Sequence, residues 1–178
     1  MSVLIAPADP SRLAELADLA ARTFPLACPP SSGPEDIAAF IAENLTAARF
    51  SDYLRDPDRV VLTATDSDTD RIVGYTMTVR GVPDDPDVAA AVTARPAVEL
   101  SKMYVDPEAH GRGAAAALMT AALEHAAASG AACVWLGVNQ KNERAQRFYG
   151  KHGFTVAGVK TFRLGTHIEH DYVMLRPV

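Results

Sequence analysis

Residues 99–120 constrain this chain more than any other stretch. An extended run of strand formers ending in Met103, Tyr104 and Val105 halts at Asp106-Pro107. A short turn with Gly111, Arg112 and Gly113 follows, and an alanine-rich run starts at once with Ala114 and Ala115. Strand, glycine turn and helix start, in that order, make an anion site. Glycines allow close backbone approach, and the first amides of a helix have no intrahelical acceptor and point at the ligand. The motif therefore predicts a phosphorylated ligand.

The remaining periodicities predict a mixed α/β chain. Residues 3–5 suit a strand. Asp9-Pro10 reads as a helix N-cap followed by proline, and Leu13, Leu16, Ala17 and Ala20 share one face of a helix over 10–23. Phe24-Pro25 is expected to end it, and four prolines between 25 and 34 argue for irregular chain. Ser32 and Glu35 have capping-box spacing before a helix marked by Ile37, Phe40 and Ile41, which resumes through Phe50, Tyr53 and Leu54 after a break. Strands are predicted over 60–65 and 72–79, the latter with Val73, Tyr75, Met77 and Val79 on one face. The acidic segment between them is not a calcium loop, because Arg71 and Met77 stand where glycine and glutamate are required. Residues 81–95 read as an exposed loop. Strand 98–105, helix 112–129, strand 132–138, a helical stripe of Asn142, Ala145, Phe148, Tyr149 and His152, and strands over 154–164 and 171–175 complete one domain over 1–178.

Composition excludes several classes. A formal charge of −5 gives no basic footprint for nucleic acid. Two cysteines, Cys28 and Cys133, make neither a disulfide framework nor a metal cluster, so no metal is expected. No run approaches the roughly 20 apolar residues of a membrane span, and no signal segment is visible, so a cytoplasmic protein without membrane partners is expected.

Which phosphorylated ligand fits the glycine turn depends on its neighbours. A Walker loop would need Lys and Ser or Thr after the glycine, and here Arg112-Gly113 leads into alanines. A dinucleotide fingerprint would need an acidic strand end about 20 positions on, and Glu124 is mid-helix. The run from His110 through Ala115 resembles instead the Gln/Arg-x-x-Gly-x-Gly/Ala signature of the GCN-five-related N-acetyltransferase (GNAT) superfamily. Glu99 to Val105 before it resembles that family's fourth strand, and residues 136–154, with Asn142, Phe148-Tyr149 and Gly153-Phe154 in register, its fifth strand and next helix.

The resemblance implies one α/β domain built on a mixed, mostly antiparallel sheet of six to seven strands flanked by helices. It implies acetyl-CoA as co-substrate and acetyl transfer to a primary amine by direct attack in a ternary complex. Cofactor contacts are implied for Met103, Tyr104, Val105, His110, Gly111, Arg112, Gly113, Ala114, Ala115, Asn142 and Tyr149. Tyr149 matches the general acid that protonates the leaving thiolate, and Glu99 the position of a general base. His110 departs from the usual Gln or Arg. The C-terminal Phe162-Arg-Leu-Gly165 and Asp171-Tyr-Val-Met174 resemble the PaiA-type branch, which implies a polyamine or other small amine as acceptor. Acceptor contacts are expected from Phe24, Tyr53, His167 and Glu169. A peptide or protein acceptor, a catalytically silent CoA-binding module and a homodimer are the alternatives the resemblance leaves open.

Overall fold

The structure is a computed structural model that describes residues 2–178. Seven strands form one sheet in the order β1-β2-β3-β4-β5-β7-β6. They are β1 (Val3–Pro7), β2 (Arg59–Asp66), β3 (Ile72–Arg80), β4 (Ala97–Val105), β5 (Cys133–Asn139), β6 (Thr155–Leu164) and β7 (His167–Pro177). Every neighbouring pair is antiparallel except β4 and β5.

Two helix layers cover the sheet. On one face lie α5 (Ala114–Ala128) and α6 (Glu143–Lys151), whose Met119, Leu123, Ala145 and Phe148 pack on Val98, Leu100, Leu136 and Met174, while Leu118 packs on Leu62, Ala64 and Val73. On the other lie α1 (Leu13–Ala27), α2 (Pro34–Asn44), α3 (Ala47–Arg55) and α4 (Pro86–Ala91). Leu16, Leu19, Phe50, Tyr75 and Met77 form the main core there. The alanines of α5 let it sit close to the sheet, where Gly74 leaves only 3.1 Å between a notional Cβ and Leu118.

Bulges decide which residues face which layer. Met77 pairs with Lys102 and Thr78 with Leu100, so Ser101 is an extra residue in β4. A one-residue insertion reverses the alternation of side chains beyond it. Ala97, Glu99, Lys102 and Tyr104 therefore share the α1–α4 face, and Val98, Leu100, Met103 and Val105 the α5 face. A similar extra residue at Val73 corrects one expectation: Val73 packs toward α5, whereas Tyr75 and Met77 face α1.

Other expectations need correction. Pro25 does not stop α1, which runs to Ala27. Only the last turn follows the proline, and the Cys28 amide closes it onto the Pro25 carbonyl at 3.2 Å. Ser32 is not the cap of α2; Gly33 holds that position without a side-chain bond, and Pro34 is the first helical residue. The stretch 81–95 contains α4, capped by Asp85 through the amides of Asp87 and Val88, with Val88 and Val92 buried against Trp135. Asp85-Pro86 repeats the signature read at Asp9-Pro10, and the surrounding acidic residues obscured it. The helix expected from 112 begins at Ala114, and β7 starts at His167 rather than near 171.

Candidate active site

The glycine turn is held from below by Asp106. Its Oδ1 accepts from the Glu108 amide (3.0 Å) and its Oδ2 from Arg22 Nη1 of α1 (2.9 Å). Burial pushes this carboxyl up, but Arg22 and the amide outweigh it and hold it below the usual carboxylate range. Gly111 and Gly113 have φ of 78° and 84°, and a Cβ at either would face open space. Gly113 is the N-cap of α5 and provides no side-chain acceptor, so the first-turn amides from Ala114 onward project into that space.

His110 has a role the sequence did not reveal. Its Nδ1 lies 2.9 Å from Arg144 Nη2 and its Nε2 3.2 Å from the Val105 carbonyl. Arginine can only donate, so Nδ1 accepts and Nε2 carries the proton toward Val105. The ring thus ties α6 to the turn and brings the Arg144 guanidinium to its rim. The spacing of 34 residues between the two gave no signal.

The second part of the site is a cleft between β4 and β5. These strands pair only from Ala97–Cys133 to Glu99–Trp135, and then diverge. The β5-facing edge of residues 100–105 is left with backbone groups free to pair with an extended ligand arm. A cavity of about 300 Å³ opens at this vertex. Glu99, Met103, Tyr104, Asn142 and Tyr149 line it, as do Phe24 and Glu169 of the expected acceptor residues. Val105, His110, Gly111, Arg112, Gly113, Ala114 and Ala115 belong to the turn and its approach instead.

Two expected acceptor residues are not brought to the cavity. Tyr53 is buried in the α1–α3 core, edge-on to Phe50, and its hydroxyl donates to the Asn44 carbonyl at 2.8 Å. His167 is exposed at the start of β7. The cavity is lined in addition by Cys28, Lys102, Asn139, Lys160, Phe162 and Asp171. Of these Phe162 and Asp171 stood in the quoted C-terminal motifs. Lys102 was hidden because regular alternation from Glu99 puts it on the other face.

Burial sets the charges here. It raises the Glu99 carboxyl, with Lys160, Lys102 and Arg59 pulling the other way. It lowers the Lys102 ammonium to about 8. Burial also raises Asp171, opposed by Lys160 with its Nζ 3.4 Å away. Tyr149 is pushed up to about 12 by burial, and its hydroxyl has no hydrogen-bond partner among the described residues. Asn142 caps α6 through the Ala145 amide (3.1 Å) while also lining the cavity. Cys28 is raised to about 11 by burial and the nearby Glu169, and burial raises the Cys133 thiol too. Neither is a ready nucleophile at neutral pH.

A roof closes the α1 side. The Ser31 hydroxyl donates to Glu169 Oε1 (3.4 Å), and Asn139 Nδ2 to Glu169 Oε2 (3.3 Å). Phe40 stacks on Phe24 at 4.4 Å and meets the edge of Phe162 at 6.0 Å. The α1–α2 connection and α2 are thereby joined to β6 and β7 across the cavity.

The Acetyltransferase (GNAT) family matches residues 13–154, most of the chain, including the glycine turn and the β4–β5 cleft but not the lining residues of β6 and β7. The chain belongs to that family. This GNAT chain is 59% identical over 162 residues to an uncharacterized N-acetyltransferase of Mycobacterium tuberculosis and to one of Mycobacterium bovis, covering 91% of itself and 95% of each relative. The PaiA N-acetyltransferase of Thermoplasma acidophilum, solved in complex with coenzyme A, superposes with a TM-score of 0.77 at 19% identity over 100% of both chains. A GCN-five-related N-acetyltransferase from Rhodopseudomonas palustris gives 0.72 at 18% identity, covering 100% of this chain and 97% of the other. At such identities these two likenesses concern the fold. As a GNAT member the protein is an N-acetyltransferase with acetyl-CoA as co-substrate. No helix among the described residues is long and apolar enough to cross a membrane, and no group of three or more His, Cys, Asp or Glu there could hold a metal ion.

Proposed function

We propose that this GNAT enzyme acetylates the primary amine of a small molecule, not an extended peptide, in a ternary complex. The observation that carries this is the roof. Ser31, Glu169, Phe40 and Phe162 bridge the cavity where a polypeptide acceptor would need an open groove.

Acetyl-CoA, when bound, supplies an activated acetyl thioester. The amides of Gly111, Gly113, Ala114 and Ala115 fit its pyrophosphate, because positive φ at the two glycines and the start of α5 expose them, while the Arg112 amide already donates to the Ala109 carbonyl at 3.4 Å. The unpaired edge of β4 around Met103 fits the pantetheine arm and gives amide donors for the thioester oxygen, a modest oxyanion site. Asn142, at the facing end of α6, lines the same approach.

An alkylammonium with a pKa near 10 must lose a proton before it attacks. Glu99 at the cleft vertex is the base in this reading, acting directly or through water. Tyr149 keeps its proton throughout the working range and directs it into the cavity, so it serves the sulfur as it leaves. A phenol near 12 is a weaker acid than a thiol near 8.5, so Tyr149 helps by donating a hydrogen bond to the charge that develops on sulfur as the C–S bond breaks. The thiols of Cys28 and Cys133 stay protonated at neutral pH, which favours direct transfer over an acyl-cysteine route.

Glu99→Gln tests the base. A raised carboxyl is protonated, and lost as a base, as pH falls through its pKa, so wild-type kcat/KM should show an acid limb above the ordinary glutamate range. The variant should be about tenfold slower at neutral pH and lack that limb. A pH profile identical to wild type would remove Glu99 from the mechanism.

The acceptor class is tested by following CoA thiol release with polyamines, amino acids, aminoglycosides and peptides. A polyamine acceptor has three lining carboxylates, Glu99, Glu169 and Asp171, in its favour and two lining lysines against it. Turnover confined to peptides would overturn the small-molecule reading.

A further inference from the structure

Two lysines reach the acceptor cavity, and they differ in one respect. Lys160 is satisfied: its stem crosses Gly137, where a Cβ would come within 2.4 Å of Cε, and its ammonium meets Asp171 at 3.4 Å. Lys102 has no carboxylate within 4.0 Å among the described residues, and its Nζ lies 5.9 Å over the Phe40 ring. A partly buried cation without a counter-charge is costly, and an aromatic face offsets little of that cost.

The surroundings make the deficit larger. From β4 itself Glu99 faces Lys102 without reaching ion-pair distance; from β2 and α3 come the guanidiniums of Arg59 and Arg49. Both arginines are already engaged with neighbours close in sequence, Arg59 with Asp56 at 3.0 Å and Arg49 with Asp52 at 3.6 Å, and both stack on Tyr53. From β6 and β7, Lys160 and Asp171 are occupied with each other, and Glu169 is held by Ser31 and Asn139. The Lys102 ammonium therefore has the field of Glu99 but no direct ion-pair partner. Its placement depends on the Ser101 bulge, without which Ser101 rather than Lys102 would share the Glu99 face. The pyrophosphate cradle cannot supply the missing anion, since it lies beyond Val105 at the start of α5, on the opposite face of the sheet.

We infer that the acceptor carries an anionic group in addition to its primary amine, the anion seated on Lys102 and the amine directed to the vertex at Glu99. The aromatic wall of Phe24, Phe40, Tyr104 and Phe162 receives the body of the molecule between them. This specificity rests on the acetyltransfer reading above, and a carboxylate or a phosphate would satisfy the same lysine.

The test uses the intact enzyme with acetyl-CoA and matched acceptors that differ only in the anion. Phenylalanine is compared with phenethylamine, 4-aminobutyrate with butylamine, and phosphoethanolamine with ethanolamine; the last pair separates phosphate from carboxylate. Wild type should favour the anionic member of at least one pair by tenfold or more in kcat/KM. Lys102→Met should raise KM for that member at least tenfold more than for its neutral partner, any change in kcat through Glu99 being common to both, while Lys102→Arg retains most of the preference. The wild-type preference should fade as pH rises through about 8, where Lys102 loses its charge. Equal use of both members in every pair, or equal KM changes for both in Lys102→Met, overturns the inference and leaves acetyltransfer standing. No thiol release from any amine overturns both.

Discussion

Tyr149→Phe should lower kcat about a hundredfold while KM for acetyl-CoA stays within about twofold. The substitution removes one hydroxyl and retains the ring, which packs edge-on to Phe148 at 5.6 Å and Phe154 at 6.0 Å. The fold should therefore be undisturbed. Loss of a positioned proton donor accounts for a hundredfold, or about 2.7 kcal/mol in the barrier. Because burial places this phenol near 12, its ionisation should not shape the pH profile below about pH 10. Steady-state kinetics with an active acceptor decide the matter. A kcat within twofold of wild type would reduce Tyr149 to a wall of the cavity.

Gly113→Val should raise KM for acetyl-CoA by thirtyfold or more. A β-branched residue at φ 84° is strained by about 1–2 kcal/mol, and its side chain would project into the space faced by the first α5 amides. Gly130→Val provides an internal control at the other end of the same helix. Gly130 has the same φ of 84° and equally open space around its notional Cβ, but lies away from the cradle. Both variants should show similar losses in thermal stability, and only Gly113→Val the loss of donor affinity. Equal KM values in the two would show that backbone strain, not obstruction of an anion site, explains the effect.

The glycine turn and the start of α5 were legible because they are local. Residues 105–115 carry strand, proline stop, glycine turn and helix start in consecutive positions, and backbone chemistry within one turn follows from the order of residues. Helical periodicity put Tyr149 and Asn142 on one stripe, and the family resemblance singled them out as site residues. The acceptor half was not legible. Phe24 and Glu169 were found, but Tyr53 proved to be core, its hydroxyl held by Asn44, and His167 proved to be exposed. An aromatic at helical spacing reads the same whether its face meets a core or a cavity.

The bulges show the limit most clearly. Period-two alternation put Val73 with Tyr75, and regular alternation from Glu99 would put Lys102 away from it. One inserted residue in β3 and one in β4 reversed both assignments. A bulge depends on how two distant strands register, so the composition of either strand alone cannot announce it. Arg144 came to His110 for a similar reason, through packing between α6 and the glycine turn.

By itself the sequence determined the α/β class and the glycine turn that opens α5. Those features arise from short-range geometry, where a few consecutive side chains restrict the backbone. Only the tertiary structure decided where β4 and β5 part, that Ser31 and Phe40 roof the cavity, and that Lys102 enters it without a carboxylate partner. Each of those depends on register and burial between segments far apart in the chain, and the electrostatic cost of a cation is set by what folding places beside it.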